Sequence, residues 1–169
     1  MNSEIANLNA GNRFKKIDHI AIAVRDLEAA VEFFQGMLGF NLIQRRVVAG
    51  ARTGMISAEL AYNDIKFVLC QGTEPESQVS RLVDNCGPGV AHIALAVEDV
   101  EATAAHLGMQ GLEFDTTVIT GAGLKQVFSR RDVNSGLSFE FTERSACEHG
   151  FREENIHELF AQLEKSGAY

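Results

Sequence analysis

His92-Ile-Ala-Leu-Ala-Val-Glu-Asp-Val-Glu-Ala, residues 92–102, is a near copy of His19-Ile-Ala-Ile-Ala-Val-Arg-Asp-Leu-Glu-Ala, residues 19–29. Eight of the eleven positions are identical, and the offset is 73 residues throughout. Two copies at that spacing are too few and too long for a solenoid, so they predict one domain made of two similar modules. Within each copy apolar and small residues alternate with period two, which is a strand. Ile20, Ile22 and Val24, with Ile93, Leu95 and Val97 in the second copy, form a face suited to packing under a helix. His19, Ala21 and Ala23, with His92, Ala94 and Ala96, form the other. Alanines beside a histidine leave room in front of the imidazole, so this second face is expected to border a cavity.

Outward from that repeat, the punctuation gives the order of elements. Asp26 caps a helix carrying Leu27, Ala30, Val31, Phe34 and Leu38, which Gly36 and Gly39 close. Strands are expected over 40–47, 54–61 and 65–70, with Asn63-Asp64 as a turn, then a short helix over 78–85. The second module starts at Gly87-Pro88-Gly89 and repeats the order: a strand over 90–97, a helix over 99–109, and strands over 113–119, 124–129 and 136–143. Ile156, Leu159, Phe160 and Leu163 give the tail a helical stripe. The expected fold is α+β: two tandem βαβββ modules (about 14–72 and 88–144, joined by a linker over 73–87) forming a half-open barrel, plus a C-terminal helix over 151–166.

Composition bounds the function. The chain has 169 residues, 46% hydrophobic content, a net charge of −8 and a pI near 5.1. That size suits a single domain with a real core. The acidic balance argues against nucleic acid or an anionic membrane as partner, and no apolar run approaches a membrane span. Residues 1–12 lack the pattern of a signal peptide. Cys70, Cys86 and Cys147 are odd in number with no metal-binding spacing, which predicts reduced thiols in a cytoplasmic protein.

Chemistry enters with a third residue. In the run from Leu137 to Thr142, Leu137, Phe139 and Phe141 take the apolar face, leaving Ser138, Glu140 and Thr142 inside. A carboxylate facing a cavity needs a partner, because an unpaired buried charge costs several kcal/mol. Two histidines and a carboxylate converging on one cavity match the facial triad of non-haem Fe(II) oxygenases. A lone histidine on such a strand is more often a hydrogen-bonded core residue; its repetition at both module starts favours a metal. His106, His149 and His157 are expected at the surface.

Two modules that open on histidine, with a glutamate in the last strand, resemble the vicinal oxygen chelate superfamily of glyoxalase I, bleomycin-resistance proteins and extradiol dioxygenases. Within it the chain is most similar to the catalytic half of the 4-hydroxyphenylpyruvate dioxygenase family. The resemblance runs through Glu74-Pro75, Ser77-Gln78, Gly87 to Leu95, Leu124 to Phe128, Phe139-Glu140, Glu143-Arg144 and Gly150-Phe151 to Leu159-Phe160. It implies His19, His92 and Glu140 as ligands of Fe(II), another divalent metal being the substitute. It places Ser57, Gln126 and Phe128 against the substrate, Phe128 as one of two rings that sandwich an aromatic group. It makes the helix around Asn155 to Phe160 a lid, with Ile156 and Phe160 facing the substrate.

The chain departs from the family at four pocket positions. Ala91 replaces a glutamine, Thr73 an asparagine, and Ile156 and Ser138 each a phenylalanine. The resemblance thus implies oxidative decarboxylation of a 2-oxo acid with O2, on a substrate other than 4-hydroxyphenylpyruvate. The expected partners are a small-molecule substrate and O2, with a homodimer open. Two other classes stay in view. A glyoxalase- or epimerase-type enzyme would want a fourth ligand, and the residue matching Glu140 in module one is Val68. A metal-free binding protein would have no use for the triad.

Overall fold

The structure, a computed structural model, describes residues 14–50, 52–121, 123–145 and 161–162. Among these, eight strands form one sheet: β1 (Lys16–Ala23), β2 (Asn41–Ala49), β3 (Gly54–Tyr62), β4 (Ile65–Gly72), β5 (Gly89–Ala96), β6 (Ile119–Gly121), β7 (Leu124–Phe128) and β8 (Phe139–Arg144). Their spatial order is β2-β3-β4-β1-β5-β8-β7-β6. It is symmetric about the β1–β5 seam: β1 pairs parallel with β4, β5 pairs parallel with β8, and the two copies of the repeat meet antiparallel at the centre. The sheet curls into the expected half-barrel, so the inner faces of both modules converge on the two histidine strands.

The helices lie outside. Asp26 caps α1 (Leu27–Glu32) by accepting from the Ala29 amide at 3.0 Å, and Asp99 caps α3 (Val100–Met109) by accepting from Ala102 at 2.8 Å. α1 buries Leu27 and Val31 against Ala58, Leu60 and Leu69, with Ile22 and Val24 alongside. α3 buries Val100 against Val97, Val127 and Phe141. Each helix therefore covers the outer face of its own module, as the alternation of the repeat demands. Between the modules, α2 (Gln78–Cys86) starts at Ser77 and sets Leu82 and Val83 against Ala23. Gly72 is required there, since a Cβ would meet the Ser77 and Ser80 hydroxyls and come within 2.8 Å of the Ser80 amide.

Three expectations need correction. The first helix does not run unbroken to Leu38: after Glu32 it widens into a π-helical turn, Phe33–Met37. There Phe34 reaches Phe40 and Phe67, with ring centroids 5.7 and 5.1 Å away, and aromatic packing outweighs the regular ladder. The strand expected over 113–119 is only β6, Ile119–Gly121, preceded by a single bridge between Phe114 and Ser129. The Thr116 hydroxyl takes the Phe128 amide at 3.0 Å, which replaces the ladder bond a longer strand would make. The last strand begins at Phe139, because the Asp132–Gly136 turn and the Ser129 side chain hold the backbone before it. The tail helix over 151–166 lies outside the described residues except Ala161 and Gln162. These two are helical, and the Gln162 side-chain oxygen accepts from the Thr117 amide and hydroxyl at 2.9 and 3.1 Å.

Candidate metal centre

The seam brings the two histidines together because Ala21 lies opposite His92 and Ala94 opposite His19. These small partners leave the imidazoles in contact, edge to face, with ring centroids 5.5 Å apart. Ala94 also neighbours Glu140 on β8, which carries that carboxylate to the same point. One oxygen of Glu140, Oε2, sits 3.3 Å from the Nε2 of His19 and 3.3 Å from the Nε2 of His92. The three ligating atoms all lie within 4.8 Å of one another. His19 and Glu140 are buried, and the His92 side chain is 18% exposed.

A β-bulge completes the site. In β1 the register slips between Ile17 and His19, so Asp18 turns inward beside His19 rather than outward. The Asp18 carboxylate accepts from His19 Nδ1 at 3.0 Å and receives a two-pronged grip from Arg144, at 3.0 and 2.9 Å. In its neutral form, with the proton held on Nδ1, His19 would turn the Nε2 lone pair to the Glu140 side. A carboxylate behind a histidine is the usual support of a metal-ligating imidazole.

Electrostatics follow from burial and these partners. Burial opposes charge on His19, but Glu140 and Asp18 outweigh it and push the imidazole up to about 9. Glu140 resists the upward pull of burial and is held down to about 2, mainly by His19. Asp18 is likewise held well below the carboxylate range against burial, by His19 and Arg144. His92 goes the other way, burial keeping it neutral. The second Glu140 oxygen, Oε1, has no hydrogen-bond partner among the described residues. A buried carboxylate with one oxygen orphaned and the other facing two imidazoles fits a divalent cation.

A small cavity of about 60 Å³ opens in front of the triad. From module one it is lined by Arg46, Met55, Ser57, Val68 and Cys70, and from module two by Gln126 and Phe128. Phe128 stands edge-on to His92, centroids 5.2 Å apart. Both polar atoms of the Gln126 amide are buried without a partner among the described residues. Burial pushes the Cys70 thiol up to about 12, so it stays protonated.

The seven described candidates separate clearly. His19, His92, Glu140, Ser57, Gln126 and Phe128 share this cavity. Ser138 is buried on the neighbouring wall, where its hydroxyl donates to the Ser129 carbonyl at 2.9 Å. Ile156 and Phe160 lie outside the described residues. Sequence reasoning missed Asp18, Arg144 and Arg46. Strict alternation put Asp18 on the outer face, and only its adjacency to His19 hinted otherwise.

A family model described as the Glyoxalase/Bleomycin resistance protein/Dioxygenase superfamily matches residues 16–141. Among curated proteins, a 4-hydroxyphenylpyruvate dioxygenase from Legionella pneumophila (strain Corby) is 28% identical over 109 residues, 62% of this chain and 31% of that protein. The chain spans 30% to 52% of the length of four of the curated relatives that it matches. Among solved structures, a variant of 4-hydroxymandelate synthase from Streptomyces coelicolor superposes with a TM-score of 0.82 at 21% identity, over 90% of this chain and 55% of that one. Methylmalonyl-CoA epimerase from the same organism superposes with a TM-score of 0.69 at 28% identity, over 82% of this chain and all of that one. With the matched segment covering both histidine strands and Glu140, the chain belongs to the Glyoxalase/Bleomycin resistance protein/Dioxygenase superfamily.

Proposed function

We propose that this chain is a non-haem Fe(II)-dependent dioxygenase acting on a 2-oxo acid or a related oxygen-chelating small molecule. In this reading it is similar to 4-hydroxyphenylpyruvate dioxygenase at the metal and different in the substrate room. The number of donors carries the proposal. His19, His92 and Glu140 supply three, and Val68 stands where the internal repeat would put a fourth. Two imidazoles and one carboxylate on one face of a metal are the donor set of Fe(II) oxygenases, with positions left for substrate and O2.

Bound there, Fe(II) would supply a redox-active Lewis acid at which the oxygens of the substrate and O2 meet. The chain's own contribution is position and dryness. Asp18 fixes the His19 tautomer, Arg144 fixes Asp18, and burial of Glu140 keeps competing water away. Phe128 offers one aromatic wall, and the Gln126 amide and Ser57 hydroxyl offer polar contacts to a substrate. The Ser138 hydroxyl is committed to Ser129, and Ala91 replaces a larger polar group; both point away from 4-hydroxyphenylpyruvate as substrate. Free thiols at Cys70 and Cys86 suit the cytoplasm, and the proposal extends to a homodimer, the commonest assembly of soluble enzymes.

A metal-dependent epimerase or glyoxalase-type reaction is the second reading, favoured by the likeness that spans the whole of methylmalonyl-CoA epimerase. Oxygen uptake separates the two. After anaerobic Fe(II) loading, at least one acid in a panel of aromatic and aliphatic 2-oxo acids should drive O2 consumption with matching CO2 release. Homogentisate from 4-hydroxyphenylpyruvate should form slowly or not at all. Silence across the panel with iron bound would move the account to the second reading, and rapid homogentisate formation would overturn the remade pocket.

A further inference from the structure

Gln126, Glu140 and Thr142 are each only 1% exposed, and they share the inner face of β7 and β8. Register fixes their neighbourhood. Gln126 lies opposite Thr142 and Phe128 lies opposite Glu140, so Gln126 is the diagonal neighbour of Glu140. Four polar atoms of this trio have no hydrogen-bond partner among the described residues: Glu140 Oε1, Gln126 Nε2 and Oε1, and Thr142 Oγ1. Buried polar atoms are almost always paired, so four unmet ones on neighbouring residues point to a state of the protein in which they meet.

Their chemistry is complementary. A carboxylate oxygen only accepts, an amide donates from Nε2 and accepts at Oε1, and a hydroxyl can donate. One order satisfies all four atoms: Thr142 donates to Gln126 Oε1, and Gln126 Nε2 donates to Glu140 Oε1. The reversed amide would set its oxygen against the carboxylate, acceptor against acceptor. Opposite residues of an antiparallel pair have Cβ atoms about 5 Å apart, and diagonal neighbours stay within reach of a long side chain. The triad supplies the reason for such a line. His19 is supported from behind by Asp18, whereas Glu140 turns Oε2 to both imidazoles and leaves Oε1 unsupported. A ligating carboxylate ordinarily has a hydrogen-bonding partner as well.

We propose that Gln126 and Thr142 are positioning residues for the metal ligand Glu140, with Thr142 orienting the Gln126 amide and Gln126 holding Oε1 so that Oε2 faces the cation. The second Nε2 hydrogen of Gln126 stays available to a substrate in the cavity. The inference rests on the reading that Glu140 ligates a metal.

Anaerobic Fe(II) titration and thermal melting of the full chain test it without turnover. Thr142→Val removes the hydroxyl and keeps a similar shape. It should weaken iron binding by about three- to tenfold, as loss of one hydrogen bond does, without lowering the melting temperature of the metal-free protein. Thr142→Ser should restore most of the affinity. Gln126→Leu should weaken binding by about 10- to 100-fold. Adding Thr142→Val to Gln126→Leu should cost nothing further, because the hydroxyl acts through the amide. Wild-type iron affinity in Thr142→Val, or losses that simply add in the double variant, overturns the proposal and leaves the three-ligand reading standing. A wild-type chain that binds no iron overturns both.

Discussion

Val68 in β4 and Glu140 in β8 occupy equivalent places in the two halves of the sheet: Val68 lies beside Ala21, and Glu140 lies beside Ala94, the repeat partner of Ala21. One half therefore presents a carboxylate to the seam and the other an apolar side chain. This asymmetry is what leaves a three-donor site. Val68→Glu should place a second carboxylate at the cavity and supply a fourth donor. Without metal the variant should lose several kcal/mol of stability, since the new carboxylate has no partner. Fe(II) or Zn(II) should restore its melting temperature by more than it raises that of the wild type, and substrate-driven O2 uptake should fall by at least about tenfold. Full oxygen uptake in this variant would show that the position by Val68 is not needed for substrate or O2.

Asp18 supports His19 from behind, and Arg144 supports Asp18. Replacing Asp18 with Asn removes the charge that holds the His19 proton on Nδ1. Metal affinity should drop about 10- to 100-fold, the usual cost of losing such a partner. Stability should also fall, by up to about 3–5 kcal/mol, because Arg144 keeps its charge in a partly buried place. Anaerobic titration with Fe(II) and thermal melting read the two effects separately. Unchanged metal affinity would reduce Asp18 to a structural ion pair.

The acid–base groups of the centre pull stability in opposite directions with pH. Asp18 and Glu140 are held below their ordinary values, Glu140 at about 2, so their stabilisation is present above about pH 4 and disappears as pH falls through their folded values. His92 is pushed down by burial, so its neutral burial costs stability as pH drops below about 6.5, where the unfolded chain takes up a proton. His19 is pushed up to about 9, so its contribution is complete below about 6.5 and is lost as pH rises through about 9. The metal-free protein should therefore melt highest near pH 6.5 and weaken on both sides. A divalent metal replaces the His19 proton and should remove the alkaline decline. Melting curves from pH 4 to 10, with and without Zn(II), measure both arms; an alkaline arm unaffected by metal contradicts the assignment.

The two modules and the inward parity of Glu140 were legible in the sequence because each depends on local pattern. Period-two alternation fixes which face of β1 and β5 looks inward, and Asp26 and Asp99 mark where the chain leaves the strand for a helix. What escaped depends on distant partners. The bulge at Asp18 exists because β1 slips against β5, and nothing in Ile17-Asp18-His19 announces a slip. The π-helical turn after Glu32 answers to Phe40 and Phe67, and the short β6 answers to a hydroxyl from Thr116. Arg46 reaches the cavity only through the curl of the sheet, which no local pattern announces.

Iron stoichiometry across the three single alanine variants tests the central claim most directly. The wild-type chain should bind one Fe(II) under anaerobic titration. His19→Ala, His92→Ala and Glu140→Ala should each bind at least about a hundredfold more weakly while keeping a cooperative melt. A variant that folds and still binds iron as tightly as the wild type would remove that residue from the centre and contradict the three-ligand account.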